Sequence, residues 1–186
     1  WMSMSGQTYY LHGKDQNVYL TQMDADTLQA QLDELYFLVI DSYDVSSLGK
    51  EKIKAIEKWV KNGGWLLIGT GERGKDTLGG FDSSFMEVSC KRVSKVGEEN
   101  DASKEMQQLG SYSGFTGIDF SQMPVAKLQR NNINASKSEA YPGWVYACGD
   151  GAIGVCAISF GEKQMQKAST DLCYGIYDQV AGSVSY

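Results

Sequence analysis

Residues 36–71, YFLVIDSYDVSSLGKEKIKAIEKWVKNGGWLLIGTG, decide the fold. Tyr36 to Ile40 is an apolar and aromatic run without polar alternation, the pattern of a strand buried on both faces of a parallel sheet. Asp41, Ser42, Tyr43 and Asp44 interrupt it with turn-forming residues. From about Lys50 to Lys61 the apolar Ile53, Ile56, Trp59 and Val60 recur at helical spacing, with Lys50, Glu51, Lys54, Glu57, Lys58 and Lys61 mostly on the opposite face. Asn62, Gly63 and Gly64 predict a left-handed helix C-cap. Trp65 to Ile68 is a second buried strand, closed by Gly69, Thr70 and Gly71. Strand, crossover helix and strand of this length make a βαβ unit.

A chain of 186 residues with 42% apolar residues and only 2 Pro has the length and composition of one globular domain. Its net charge of −6 opposes nucleic-acid binding, which requires a Lys/Arg surplus. No run approaches the roughly 18 apolar residues of a membrane-spanning helix, and no signal peptide is visible, absences that carry little weight for a piece of a longer chain; a membrane link is expected only through absent parts of the parent chain. The domain is read as 1–186 and as a piece of something longer. Cys90, Cys148, Cys156 and Cys173 form no C-x-x-C pair, and a single His does not complete a Cys/His zinc site. Buried free thiols are expected, although Cys148 and Cys156 flank a Gly-rich turn and leave a disulfide open. Asn134-Ala135-Ser136 matches the glycosylation triplet, which has meaning only in a eukaryotic secretory setting.

Around the central unit, Val18 to Met23 reads as a strand, and Asp24 or Asp26 as the cap of a short helix carrying Leu28, Leu32 and Leu35. Residues 72–81 read as a glycine-containing loop and Phe85 to Val96 as an alternating strand. Residues 97–104 are polar, and Lys104 to Leu109 reads as a short helix. Val125 to Gln129 is a short strand, and Asn131 to Ser138 a polar connection. Trp144 to Cys148 and Ile153 to Phe160 flank Gly149-Asp150-Gly151 as a hairpin. Gln164 to Val180 closes the chain as a helix. Strands alternating with helices, then a hairpin, predict a three-layer α/β domain with a mixed sheet.

Leu28 to Gly71 carries a family resemblance: spaced leucines lead into YFLVID, then Ser-Ser-Leu, a helix ending in Trp-Val-Lys-Asn-Gly-Gly, and a strand entering a Gly-rich loop. This resembles the class I glutamine amidotransferase-like domains, a flavodoxin-like group, and in particular the non-catalytic members of Gram-positive surface proteins and of the trimerisation domains of some β-galactosidases. Residues 149–160 look like the hairpin those domains place near their end, whereas residues 82–140 show no resemblance. The resemblance implies an α/β/α flavodoxin-like domain, mostly parallel with a C-terminal antiparallel hairpin, in an extracellular or cell-surface protein; a cytoplasmic setting is the alternative. Catalytic members carry Cys in a G-x-C-x-G elbow with His and an acid downstream. In the best register Gly69-Thr70-Gly71-Glu72-Arg73 occupies the elbow, Gly71 stands at the nucleophile position, and the only His, His12, lies upstream.

Ligands of open α/β sheets bind beyond the carboxyl ends of the strands. Those ends carry Asp41, Tyr43 and Asp44 after one strand, and Thr70, Gly71, Glu72 and Arg73 after the next. Three carboxylates and an Arg can hold a cation or a polar ligand such as a sugar. The simpler reading has Asp41 and Asp44 capping turns, with Glu72 pairing Arg73 at the surface. Gly69, Gly71 and Gly74 suggest a phosphate cradle, but a following helix of clear periodicity and the P-loop Lys-Ser/Thr ending are missing. Lys91, Arg92 and Lys95 read as a solvated face. Abundant Tyr, including Tyr9, Tyr10, Tyr19, Tyr36 and Tyr43, suits sugar stacking or interfaces as well as packing. The sequence thus predicts a silent module for a protein or carbohydrate partner, without catalytic residue, metal or cofactor. Its alternatives are a hydrolase or amidotransferase pairing a Cys with His12, and an oligomerisation scaffold.

Overall fold

The computed structural model describes residues 9–12, 17–20, 23–94, 118–120 and 123–167. A five-stranded sheet organises them: β3 (Phe37–Asp41), β4 (Trp65–Gly69), β9 (Gly151–Cys156), β8 (Gly143–Cys148) and β7 (Ser136–Lys137), in that spatial order. The β3–β4 and β4–β9 pairs are parallel, and β9–β8 and β8–β7 antiparallel. The fold is therefore α/β with a mixed sheet. Two antiparallel pairs stand apart from it, β1 (Tyr9–His12) with β2 (Asn17–Leu20), and β5 (Val88–Ser94) with β6 (Val125–Arg130).

Side chains of the parallel strands alternate between two apolar clusters, as the pleat requires. Leu38, Ile40, Leu66, Ile68, Ile153 and Val155 pack with Ile53, Ile56, Trp59 and Val60 of α2 (Lys50–Lys61). Val39, Leu67 and Cys156 face the other way, against Met123, Tyr141, Ile158, Phe160 and Met165. Burial on both faces explains the unbroken apolar runs of β3 and β4. Ile56 and Val60 are wholly buried, and each such side chain contributes about 1.5–3 kcal/mol.

The crossover helix spans the predicted residues and ends as predicted. Gly63 takes φ +111°, its N–H donates to Val60 O, and Gly64 N–H donates to Trp59 O, both at 3.0 Å. These two bonds make a Schellman cap. The carbonyl of Lys61, still open after the cap, accepts from Asp150 N–H at 3.0 Å in the β8–β9 turn. Gly149 has φ +62° while Asp150 does not share the positive φ, the signature of a type II′ hairpin turn. Helix end and hairpin turn thus satisfy each other's backbone. The contact is so close that a Cβ on Gly151 would overlap the carbonyl oxygens of Val60 and Gly64.

Several elements differ from the sequence reading. Residues 72–81 are not a plain loop: a 3-10 turn (Gly71–Arg73) runs into α3 (Gly74–Gly79), whose Thr77 and Leu78 are buried. The strand expected from Phe85 begins only at Val88, because Phe85 N–H and Met86 N–H both donate to Asp82 O and hold a turn there. Neither Asp24 nor Asp26 caps α1 (Leu28–Gln31); Thr27 is the N-cap, its hydroxyl donating back to Asp24 O rather than capping the helix, and Asp24 Oδ1 accepts from Asp26 N–H. The second hairpin strand stops at Cys156 rather than Phe160. Of the closing helix only a 3-10 turn, Lys163–Lys167, falls among the described residues. The segment 97–104, the helix expected over Lys104 to Leu109, and Cys173 lie outside them.

The helix–hairpin contact predicts a contrast between two glycines. Gly151→Ala should lower unfolding free energy by more than about 2 kcal/mol, since backbone on both sides must move. Gly79→Ala, with open space around the added carbon, should change it by less than about 1 kcal/mol in either direction. Urea denaturation of the two variants checks both.

Candidate functional site

The carboxyl ends of β3 and β4 meet the turn that follows β9. Asp41, the last residue of β3, is wholly buried. A buried carboxylate is costly unless its charge is met by donors, and here three donors come from one turn. Asp41 Oδ1 accepts from Phe160 N–H at 2.8 Å, while Oδ2 accepts from the Ser159 hydroxyl at 2.7 Å and Gly161 N–H at 2.9 Å. The chain leaves β3 through Ser42, whose φ of +47° is unusual for a residue with a Cβ; its N–H donates to Gly69 O at 2.8 Å.

Thr70 is equally enclosed. Its hydroxyl donates to Cys156 O at 2.6 Å, and its N–H is shared between Cys156 O and Ile158 O at 3.2 and 3.1 Å. The neighbouring glycines make room for this knot. A Cβ on Gly69 would overlap Asp41 Oδ1 and come within 2.9 Å of Phe160. Gly71 has φ +55°, and a Cβ there would stand 3.0 Å from Ser159 Cβ. On Gly74 it would lie 2.9 Å from Cys90 Sγ and 3.2 Å from Ala126 Cβ. All three glycines of the suspected phosphate cradle therefore face protein.

The remaining candidates divide. Tyr43 and Asp44 serve the 3-10 turn Val45–Leu48: Asp44 Oδ1 accepts from Ser46 N–H and the Ser46 hydroxyl, and Tyr43 Oη accepts from the Ser47 hydroxyl. Glu72 and Arg73 are exposed, and Arg73 pairs with Asp76 at 3.6 Å rather than with Glu72. The turn-capping reading thus holds for Asp44, whereas Asp41 holds a turn distant in sequence. Four residues of this region are not among the sequence candidates: Ser159, Phe160, Gly161 and Glu162. Burial, then Asp41 and then Glu72 raise the Glu162 pKa, so the rim carries acidic repulsion above the satisfied knot. Among the described residues no group of three or more His, Cys, Asp or Glu has metal-holding geometry.

The described thiols are free. Cys156 is wholly buried, and Cys90 and Cys148 are half-buried. Burial is the leading cause that pushes all three pKa values up, and on Cys148 Lys61 opposes it. That is the opposite of the depressed value of a reactive thiolate. His12 belongs to β1, opposite Asn17. No helix among the described residues is long and apolar enough to cross a membrane. The chain matches no protein-family model and no curated protein.

Asp41→Asn should cost about 3 kcal/mol, because its amide turns an N–H toward donors that need an acceptor; chemical denaturation measures it. Glu162 predicts a pH effect. Its raised value means that the group supports folding when protonated, and that this support is lost as pH rises through the folded-state value. Glu162→Gln should therefore be more stable than the unmodified chain at pH 7, with the gain vanishing below about pH 4. Thermal unfolding across that range is the check.

Proposed function

We propose that this chain is a catalytically silent, glutamine amidotransferase-like domain of three-layer flavodoxin-like architecture. It serves as a ligand-binding or protein-interaction module of a larger extracellular bacterial protein. One observation carries the reading. At the elbow, where the catalytic members of the resembling family place a cysteine, Gly71 takes a positive φ against Ser159, and the adjacent Thr70 hydroxyl is bonded to backbone inside the protein.

Two further features support it. Asp41 gives both carboxylate oxygens to the 159–161 turn, and a general acid or base must instead reach a substrate proton. The described thiols have raised rather than lowered pKa values, whereas nucleophilic catalysis needs an activated one. The three-layer arrangement draws support from apolar clusters on both faces of the central strands. The extracellular setting draws support from the resemblance alone.

The test combines turnover with alkylation. The full chain should show no glutaminase or esterase turnover above buffer. Cys90, Cys148 and Cys156 should react slowly with iodoacetamide at pH 7 in the native state, by intact mass and peptide mapping. Glutamine hydrolysis that disappears in any single Cys→Ala variant, Cys173→Ala included, would overturn the reading.

A further inference from the structure

At the carboxyl end of the parallel strands Asp41 and Thr70 are buried, and Gly69, Gly71 and Gly74 face protein. Between the start of β4 and the β8–β9 turn lies a groove of about 650 Å³, within the range of small-molecule sites. Its apolar part is a small cluster of Trp65 and Ala152 with Val145 packed against them. Tyr36 lines it as well, with 56% of its surface exposed. Its polar part is Asn134, Ser136 and Asp150, all exposed. Asn134 is steadied by its Nδ2, which donates to Glu87 Oε1 at 3.4 Å.

Charge narrows the ligand. Among the described lining residues there is no Lys, Arg or His, and Asp150 is the one carboxylate. The groove also includes Gly63, just beyond the carboxyl end of α2, where the helix dipole is negative. Phosphates, nucleotides and carboxylates are therefore disfavoured. The carboxamide of Asn134 and the hydroxyl of Ser136 each donate and accept, which matches hydroxyl groups better than a cation, which calls for acceptors only. An aromatic side chain beside planar polar groups offers a surface for sugar C–H bonds and partners for sugar hydroxyls.

We infer that this groove binds a neutral saccharide, packed against Tyr36 and hydrogen-bonded by Asn134, Ser136 and Asp150. The inference rests on reading the chain as a binding module, and it puts the ligand at the amino rather than the carboxyl end of the parallel strands.

The experiment titrates the full chain with cellotetraose, N-acetylchitotetraose and mannotetraose, with sialyllactose as the anionic comparator, by saturation-transfer NMR and calorimetry. At least one neutral probe should bind with a dissociation constant of about 1 mM or tighter. Tyr36→Ala should weaken that binding by about tenfold, the upper end of one aromatic contact, with the unfolding midpoint unchanged. Asn134→Ala should weaken it several-fold, and it serves as the independent variant if Tyr36→Ala fails to fold. Failure of every neutral probe at about 10 mM, equal binding of sialyllactose, or binding untouched by both substitutions would each overturn the proposal. The two readings fail separately. Cleavage of a bound oligosaccharide would sink the non-catalytic reading and leave the groove standing. Absent binding together with absent glutaminase turnover would sink the groove alone.

Discussion

The Asp41 carboxylate is the constraint from which most of the structure's odd residues follow. Enclosing a charge without partners costs far more than a domain's net stability can bear. Ser159, Phe160 and Gly161 meet that charge, from 118 to 120 positions along the chain. The same knot requires a residue without Cβ at position 69, and a tight turn at 71 beside Ser159. One buried acid thus ties the end of β3 to the exit of β9 across the intervening β4. An engineered apolar replacement of similar volume would have to fill the space and leave the turn's N–H groups unsatisfied.

A second tie sits at the other end of the same strands. There the hairpin donates backbone hydrogen bonds to the α2 terminus, Asp150 N–H to Lys61 O at 3.0 Å and Ala152 N–H to Gly64 O at 3.3 Å. The two ties differ in kind. The carboxyl-end tie depends on side-chain charge and fills the space beside Gly69. The amino-end tie uses backbone alone, and the side chains of Tyr36, Asn134 and Asp150 line the groove beside it.

Local signals made the centre of the fold legible. The α2 boundaries, its glycine cap and the hairpin turn are written in contiguous residues, and helix periodicity over twelve residues is hard to mistake. What escaped the sequence is set by distant partners. Gly74 to Gly79 lacks helical composition, yet buried Thr77 and Leu78 and a tight fit against Cys90 and Ala126 hold it as a helix. Phe85 and Met86 suit a strand, but Asp82 captures their N–H groups first. The acid Asp41 was visible, and its position after a strand marked it. Its partners were not, because no spacing rule links residue 41 to residue 159. A signal did exist: a Ser-Phe-Gly turn directly after a buried strand offers donors, and an acid ending a neighbouring strand needs them.

The knot also clarifies why glycines and acids at strand ends are ambiguous by sequence. A Gly-x-Gly run fits a bound phosphate because backbone can approach closely, and it fits a buried carboxylate of the same protein for the same reason. Asp41 occupies the space beside Gly69 that such a ligand would need. An acid released to do chemistry at this point would lose its three donors and leave the 159–161 turn unpaired. A cysteine at position 71 would meet a positive φ and the Ser159 contact, both of which oppose a side chain. A nucleophile there would need a base within reach and a different support for the end of β9. At this sheet end Asp41 and Thr70 are committed to hydrogen bonds within the protein, and those bonds hold the exit of β9.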